Sequence, residues 1–151
     1  FISVNAFSAG SGGDGDTNKN KSNYEKAVLK IKSAKKFEKK GKSEKAIKYY
    51  KKAQKLLLKS NDEKANNADT LNYLGFTTRK LGDYENGEKY YLEGLALEPN
   101  HIGINEYLGE LYVATKKINL AKERLNVLKS CNCQEYNDLK EIIDGTKKSK
   151  Y

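Results

Sequence analysis

Apolar residues recur along this chain at three- and four-residue steps, and polar, turn-forming clusters interrupt them at regular intervals. That spacing places apolar side chains on one face of a helix. Ser22-x-x-Glu25 reads as a capping box that starts the first helix. Ala27, Ile31, Ala34 and Phe37, with Val28 and Leu29, supply its apolar positions, and Gly41 ends it. Ser43 then caps a second helix with Ala46, Ile47, Tyr50, Ala53, Leu56 and Leu57 on one face. The segment ADTLNYLGFTTRKLGDYENGEKYYLEGLALEPNH, Ala68 to His101, repeats the arrangement, and Pro99 closes its second helix because proline cannot donate a helical hydrogen bond. A third unit, IGINEYLGELYVATKKINLAKERLNVLKSC, follows from Ile102. After Cys133, Tyr136, Leu139, Ile142 and Ile143 share one face of a last helix.

The small residues keep register. Ala34 to Gly75 is 41 positions, as is Ala46 to Gly87; Gly75 to Gly109 is 34, as is Gly87 to Ala121. The longer step places an insertion of about seven residues near Ser60 to Asn67, in the polar run SNDEKANN. Two helices that cross closely need small side chains at the crossing, and Ala34/Ala46, Gly75/Gly87 and Gly109/Ala121 supply them. Tyr50, Tyr91 and Leu125 fill the space beside those contacts, Tyr112 is a further packing aromatic, and Ala53 and Gly94 let the next pair approach. Lys116 stands where the other two turns carry Gly41 and Gly82, which predicts either a different turn or backbone strain.

A period of 34 residues with Leu71, Leu74-Gly75, Gly87, Tyr91 and Pro99 in this order resembles the tetratricopeptide repeat family over residues 27–133. The likeness implies an all-α fold, a right-handed superhelical array of about three antiparallel helix pairs with a C-terminal capping helix. The repeats fall at 27–60, 68–101 and 102–133, with the capping helix at 134–144, inside one helical domain of residues 22–144. Residues 1–21 are expected to be disordered, and 145–151 to fray.

Members of this family mostly bind peptides or proteins on the face lined by the first helix of each pair. By position, that resemblance implies a partner-binding surface of Val28, Ile31, Lys35, Glu38 and Lys39 from the first unit. The second unit contributes Asp69, Asn72, Phe76, Arg79 and Lys80, and the third Glu106, Glu110 and Val113. Phe76 is the expected apolar anchor, with Lys35, Arg79 and Lys80 as its charge partners. The subclass that clamps a C-terminal carboxylate carries Lys and Asn where this chain has Ile31, Lys35 and Tyr73, so that pattern fails here. The run Cys131-Asn-Cys133-Gln-Glu-Tyr136 also resembles the ending of small secreted bacterial proteins of the family, which implies a periplasmic address. The opening FISVNAFSAG agrees with that address: it starts on Phe1 and reads as the remnant of a secretory signal, with Val4-Asn5-Ala6 and Ala9 as candidate cleavage positions. Otherwise the chain is cytoplasmic.

Charge refines this reading. The net charge is +9, but residues 22–66 hold fifteen lysines against five acids, whereas residues 67–101 hold three basic residues against six acids. The alternative function is a basic nucleic-acid-binding module in which Lys35, Lys36, Lys39, Lys40, Lys42, Lys45, Lys48, Lys51 and Lys52 meet phosphates and Tyr49 stacks. Little arginine, no reader motif and an acidic middle unit weigh against it. Cys131 and Cys133 pair if the compartment is oxidising, and otherwise serve as separate thiols or small apolar packing. With His101 they fall short of the four ligands of a structural zinc site. Glu106 and Glu110 share a helix face, the usual sign of a solvated or partner-binding surface. One histidine and the absence of a phosphate loop or metal-ligand cluster give no basis for an enzyme or a cofactor.

Overall fold

Ser22 opens the first helix as the sequence predicts. Its hydroxyl accepts from the Glu25 N–H at 3.2 Å, and the Glu25 carboxylate accepts from the Ser22 N–H at 2.7 Å. The computed structural model describes residues 21–148, and among these every regular element is an α-helix. The helices are α1 (Asn23–Lys39), α2 (Ser43–Glu63), α3 (Ala68–Lys80), α4 (Tyr84–Leu97), α5 (Ile102–Ala114), α6 (Ile118–Leu128) and α7 (Gln134–Ile143). The proposed signal remnant and nearly all of the low-complexity opening lie outside the described residues.

The six helices α1 to α6 form three pairs, α1 with α2, α3 with α4, and α5 with α6. Three-residue turns at 40–42, 81–83 and 115–117 join them. All three turns have one geometry: Lys42, Asp83 and Lys117 donate backbone N–H bonds to Phe37, Thr78 and Tyr112. Each passes through one left-handed residue, Gly41 at φ 66°, Gly82 at φ 93° and Lys116 at φ 62°. The third turn thus keeps the shape of the other two, and Lys116 carries the strain. One expectation fails locally. Ser43 is the first residue of α2 rather than its cap; Lys42 holds the cap position and makes no side-chain cap bond.

Neighbouring pairs join through α2 on α3 and α4 on α5, and α7 covers α5 and α6. The apolar interior runs through all three pairs. Ala27, Ile31, Ala34, Ala46, Tyr50, Ala53, Leu57, Leu71, Leu74 and Phe76 form one cluster. Ala68, Tyr91, Leu95, Ile104, Leu108, Leu111, Tyr112 and Ala121 form the next. Of the residues expected on the apolar face of α2, Ile47 is 44% exposed.

Glycine positions explain the close fit. A methyl group on Gly87 would stand 3.2 Å from the Gly75 carbonyl oxygen, so α3 and α4 meet backbone to backbone there. A Cβ on Gly75 would lie 2.6 Å from the Tyr91 ring. At the equivalent Gly109 the occupying side chain is Leu139 of α7, whose Cδ2 would stand 2.5 Å from an added Cβ. Leu125, at the repeat position of Tyr91, is the shorter side chain, and the capping helix fills the notch instead. Past α7, Thr146 and Lys147 donate backbone N–H bonds to Glu141, and the Lys147 ammonium binds Asp138 at 2.5 Å. Residues 146 and 147 are thereby tied to α7; residues 149–151 lie outside the described residues.

Candidate functional site on the first-helix face

Five of the sequence-predicted residues come together around one cavity. Lys35, Glu38 and Lys39 of α1 and Phe76 and Lys80 of α3 line it, joined by Ser43 and by Tyr107 of α5. Its volume is about 500 Å³. The α1 residues recur at three- and four-residue steps, so they share one face of the helix.

Charges inside the cavity are organised. The Glu38 carboxylate accepts from the Lys80 ammonium at 2.6 Å and from the Tyr50 hydroxyl at 2.8 Å. The Lys80 side chain is only 8% exposed, so this ion pair is shielded from water more than most surface pairs. Burial, then the bond to Glu38, pushes the Tyr50 hydroxyl far above its ordinary range. Lys35 donates to the Tyr107 hydroxyl at 3.3 Å and lies 4.6 Å above the centre of the Phe76 ring. Burial likewise raises Tyr107.

Two expected contact residues turn out to be interior. Phe76 is 1% exposed, packed edge-on against Tyr50 at 5.8 Å and tilted against Tyr107 at 5.0 Å. It is a core residue that joins the three pairs and forms the cavity floor, not a protruding anchor. Arg79 is 2% exposed. Its guanidinium donates to the Tyr107 carbonyl oxygen at 2.7 Å and to Glu110 at 3.3 Å, and it lies under the Phe76 and Tyr107 rings. Arg79 and Glu110 are therefore bound to one another inside the protein and do not face a partner.

The remaining predicted residues scatter. Ile31 is core, and Asn72 and Glu106 are each 6% exposed. Val28 and Val113 are half-buried. Asp69 is exposed but engaged by His101 Nε2 at 3.2 Å. Because His101 Nδ1 accepts from the Ile104 N–H at 3.1 Å, the Nε2 atom carries the proton and donates to Asp69. Tyr107 lines the cavity without being among the expected contact residues. It had a signal: it falls 34 residues after Tyr73, the same repeat position, and Tyr73 packs at a tilt against Tyr24 with ring centres 5.9 Å apart.

Of the lysines expected to meet phosphates, Lys35 and Lys39 line the cavity. Tyr49 sits half-buried against Phe37, their rings 5.1 Å apart, with the Lys30 and Lys52 ammonium groups 5.8 and 5.5 Å from its centre. Its ring is packed in the α1–α2 seam and is not an open stacking platform. Cys131 and Cys133 are joined by a disulfide across Asn132, which takes up a left-handed φ of 49°. Among the described residues no group of three or more His, Cys, Asp or Glu is placed to hold a metal ion. None of the described helices is long and apolar enough to cross a membrane.

Comparison with known proteins agrees with this architecture. Residues 33–56 and 68–101 match the model of the tetratricopeptide repeat family. The first TPR of Spaghetti (RPAP3), solved bound to the HSP90 peptide SRMEEVD, aligns over 82% of this chain and 94% of its own, at 22% identity and a TM-score of 0.52. The first TPR domain of the human RPAP3 protein, solved by NMR, aligns over 83% and 97%, at 22% identity and a TM-score of 0.58. No curated relative matches the chain. The helix pairs of this protein thus carry the tetratricopeptide-repeat fold, with that family's sequence pattern in the first and second pairs.

Proposed function

We propose that this chain is a protein-binding scaffold that docks a segment of a partner on the face lined by α1, α3 and α5. The observation that carries the reading is the cavity of about 500 Å³, in which cationic side chains from two pairs surround an aromatic floor supplied by Phe76 and Tyr107. Grooves between packed helices take peptides by such combinations of pocket and charge. The peptide seen on the first TPR of Spaghetti (RPAP3) supports the same use of the fold here. The contact set is Lys35, Glu38, Lys39, Ser43, Lys80 and Tyr107, and the role of Phe76 and Arg79 is to hold them in place. The test is affinity capture with the wild-type chain and with Lys39→Glu, a charge reversal at an exposed position. Loss of specific partners from the variant supports the face; an unchanged set of captured proteins refutes it.

A periplasmic or otherwise oxidising location is part of the proposal. The bond between Cys131 and Cys133 supports it, since such pairs persist mainly outside the reducing cytosol. Fractionation with thiol labelling tests it: thiols that label freely in the native compartment overturn this part alone.

A further inference from the structure

We infer that the outer face of α2 docks on an anionic phospholipid bilayer, its lysines among the headgroups and its exposed apolar residues in the layer just below. None of the residues involved lines the cavity, so the inference is independent of the peptide-binding reading.

The charge is ordered along one line. Lys45, Lys48, Lys52, Lys55 and Lys59 follow one another at alternating steps of three and four, which sets them on a single stripe of the helix. All five are exposed, and the stripe lies away from Ala46, Tyr50, Ala53 and Leu57, which are buried. At a rise of about 1.5 Å per residue it runs about 21 Å. From Lys45 to Lys59 the chain holds six lysines and no acid; the acids of α2, Glu44, Asp62 and Glu63, stand in its first and last turns. Among the described residues, none of the five stripe lysines has a carboxylate within ion-pair distance.

Apolar side chains flank the line on both sides. Ile47 and Leu58, 44% and 42% exposed, share a row with Lys51 along one edge. Along the other edge, toward α1, Tyr49 and Leu56 are half-buried, and Leu56 lines a shallow cavity of about 220 Å³ with Lys26, Leu29 and Lys30. The Lys45 and Lys52 ammonium groups reach over the Phe37 and Tyr49 rings, 5.9 and 5.5 Å from their centres. Lysine stems lie along such apolar surface while the charged ends stay at the polar boundary. A helix face that combines a cationic stripe with apolar neighbours fits the boundary between headgroups and acyl chains. A cluster of about four to eight basic residues is enough to hold such a face on an anionic membrane.

The residues favour a lipid surface over nucleic acid. Neither α1 nor α2 contains arginine, whose planar fork reads phosphates and base edges. Tyr49 is packed against Phe37 and offers no open ring for a base to stack on. A plane of headgroups asks only for charge along a line and apolar groups beside it.

The test is sedimentation of the full chain with vesicles at low ionic strength. One set is phosphatidylcholine alone, the other phosphatidylcholine with an equal share of phosphatidylglycerol. The chain is expected to bind the mixed vesicles and not the neutral ones. Lys48→Gln with Lys52→Gln and Lys55→Gln is expected to weaken that binding about a hundredfold, at about fivefold per lysine. Lys122→Gln with Lys129→Gln and Lys148→Gln removes the same charge from exposed positions elsewhere and is expected to cost less than about tenfold. Ile47→Ser with Leu58→Ser is expected to weaken binding about tenfold with the charge unchanged. Circular dichroism checks that every variant folds. No binding to either vesicle, equal binding to both, or equal losses in the two lysine triples overturns the inference. So does tighter binding to a single-stranded oligothymidylate that the first triple abolishes, which assigns the stripe to nucleic acid instead. Binding indifferent to Ile47 and Leu58 overturns the placement of the helix in the headgroup layer.

Discussion

The Arg79 guanidinium of α3 stands 3.3 Å from the Glu110 carboxylate of α5, and both side chains are 1% exposed. The pair joins the second helix pair to the third inside the protein. Taking two charges out of water is costly, and the pair persists because Arg79 also donates to the Tyr107 carbonyl oxygen at 2.7 Å. Removing one partner leaves the other charge buried. Arg79→Ala is therefore expected to destabilise the fold by about 3–5 kcal/mol, and Arg79→Met with Glu110→Leu to recover most of that loss. Urea unfolding of the three proteins decides it. A single substitution that costs no more than its double would show that the pair does not act as a unit.

Lys116 takes φ 62° in a turn whose counterparts use Gly41 and Gly82. A non-glycine residue in that region is disfavoured by roughly 1–2 kcal/mol, because its Cβ approaches the following carbonyl oxygen. Glycine also adds freedom to the unfolded chain, which takes back part of the gain. Lys116→Gly is expected to stabilise the protein by about 0.5–1 kcal/mol, and Lys116→Asn by less. Thermal melting measures both. Destabilisation by the glycine variant would mean that the turn is not strained.

Helix pairing was legible because it depends on local spacing: small residues at 34- and 41-residue steps mark where helices cross. Phe76 and Arg79 were misread as surface residues for the opposite reason. Their burial comes from Tyr50 on the previous pair and Tyr107 on the next, contacts that no single repeat contains. Tyr107 itself is visible only when Tyr73 and Tyr107 are compared across one period. Ser43 has the residue type of a cap, but the turn geometry shared by all three pairs places the cap one residue earlier, at Lys42.

Gly75 and Gly109 occupy equivalent positions but meet different neighbours. An added Cβ at Gly75 meets the ring of Tyr91, which is fully buried and cannot retreat. At Gly109 it meets the branched end of Leu139, at the cap of the array. Overpacking costs roughly 1–3 kcal/mol, and more where the neighbour is rigid. Gly75→Ala is expected to sit at or above the top of that range. Gly109→Ala is expected to sit lower and to act by displacing α7, so that hydrogen exchange rises in α7 before it rises in α3. Equal costs, or faster exchange in α3 first, would contradict this assignment of neighbours.

Alkaline pH probes the tyrosines. Burial raises Tyr91 and Tyr107 well above the ordinary value, and it raises Tyr50 with help from Glu38. Tyr24 and Tyr112 are pushed up to about 12, again chiefly by burial. In the unfolded chain these groups lose their protons near pH 10. Above that pH the folded state binds more protons than the unfolded one, so stability falls as pH rises. The contribution of these groups is complete below about pH 10 and is lost from there upward, through about 12 for Tyr24 and Tyr112. Tyr91 alone contributes a slope of up to about 1.4 kcal/mol per pH unit. Absorbance at the phenolate band, followed with helicity by circular dichroism, is expected to show exposed tyrosines ionising first. The buried ones should ionise together with loss of helix. Titration of all eleven tyrosines as one ordinary class, with helicity retained, would mean that they are not shielded from water in the native array.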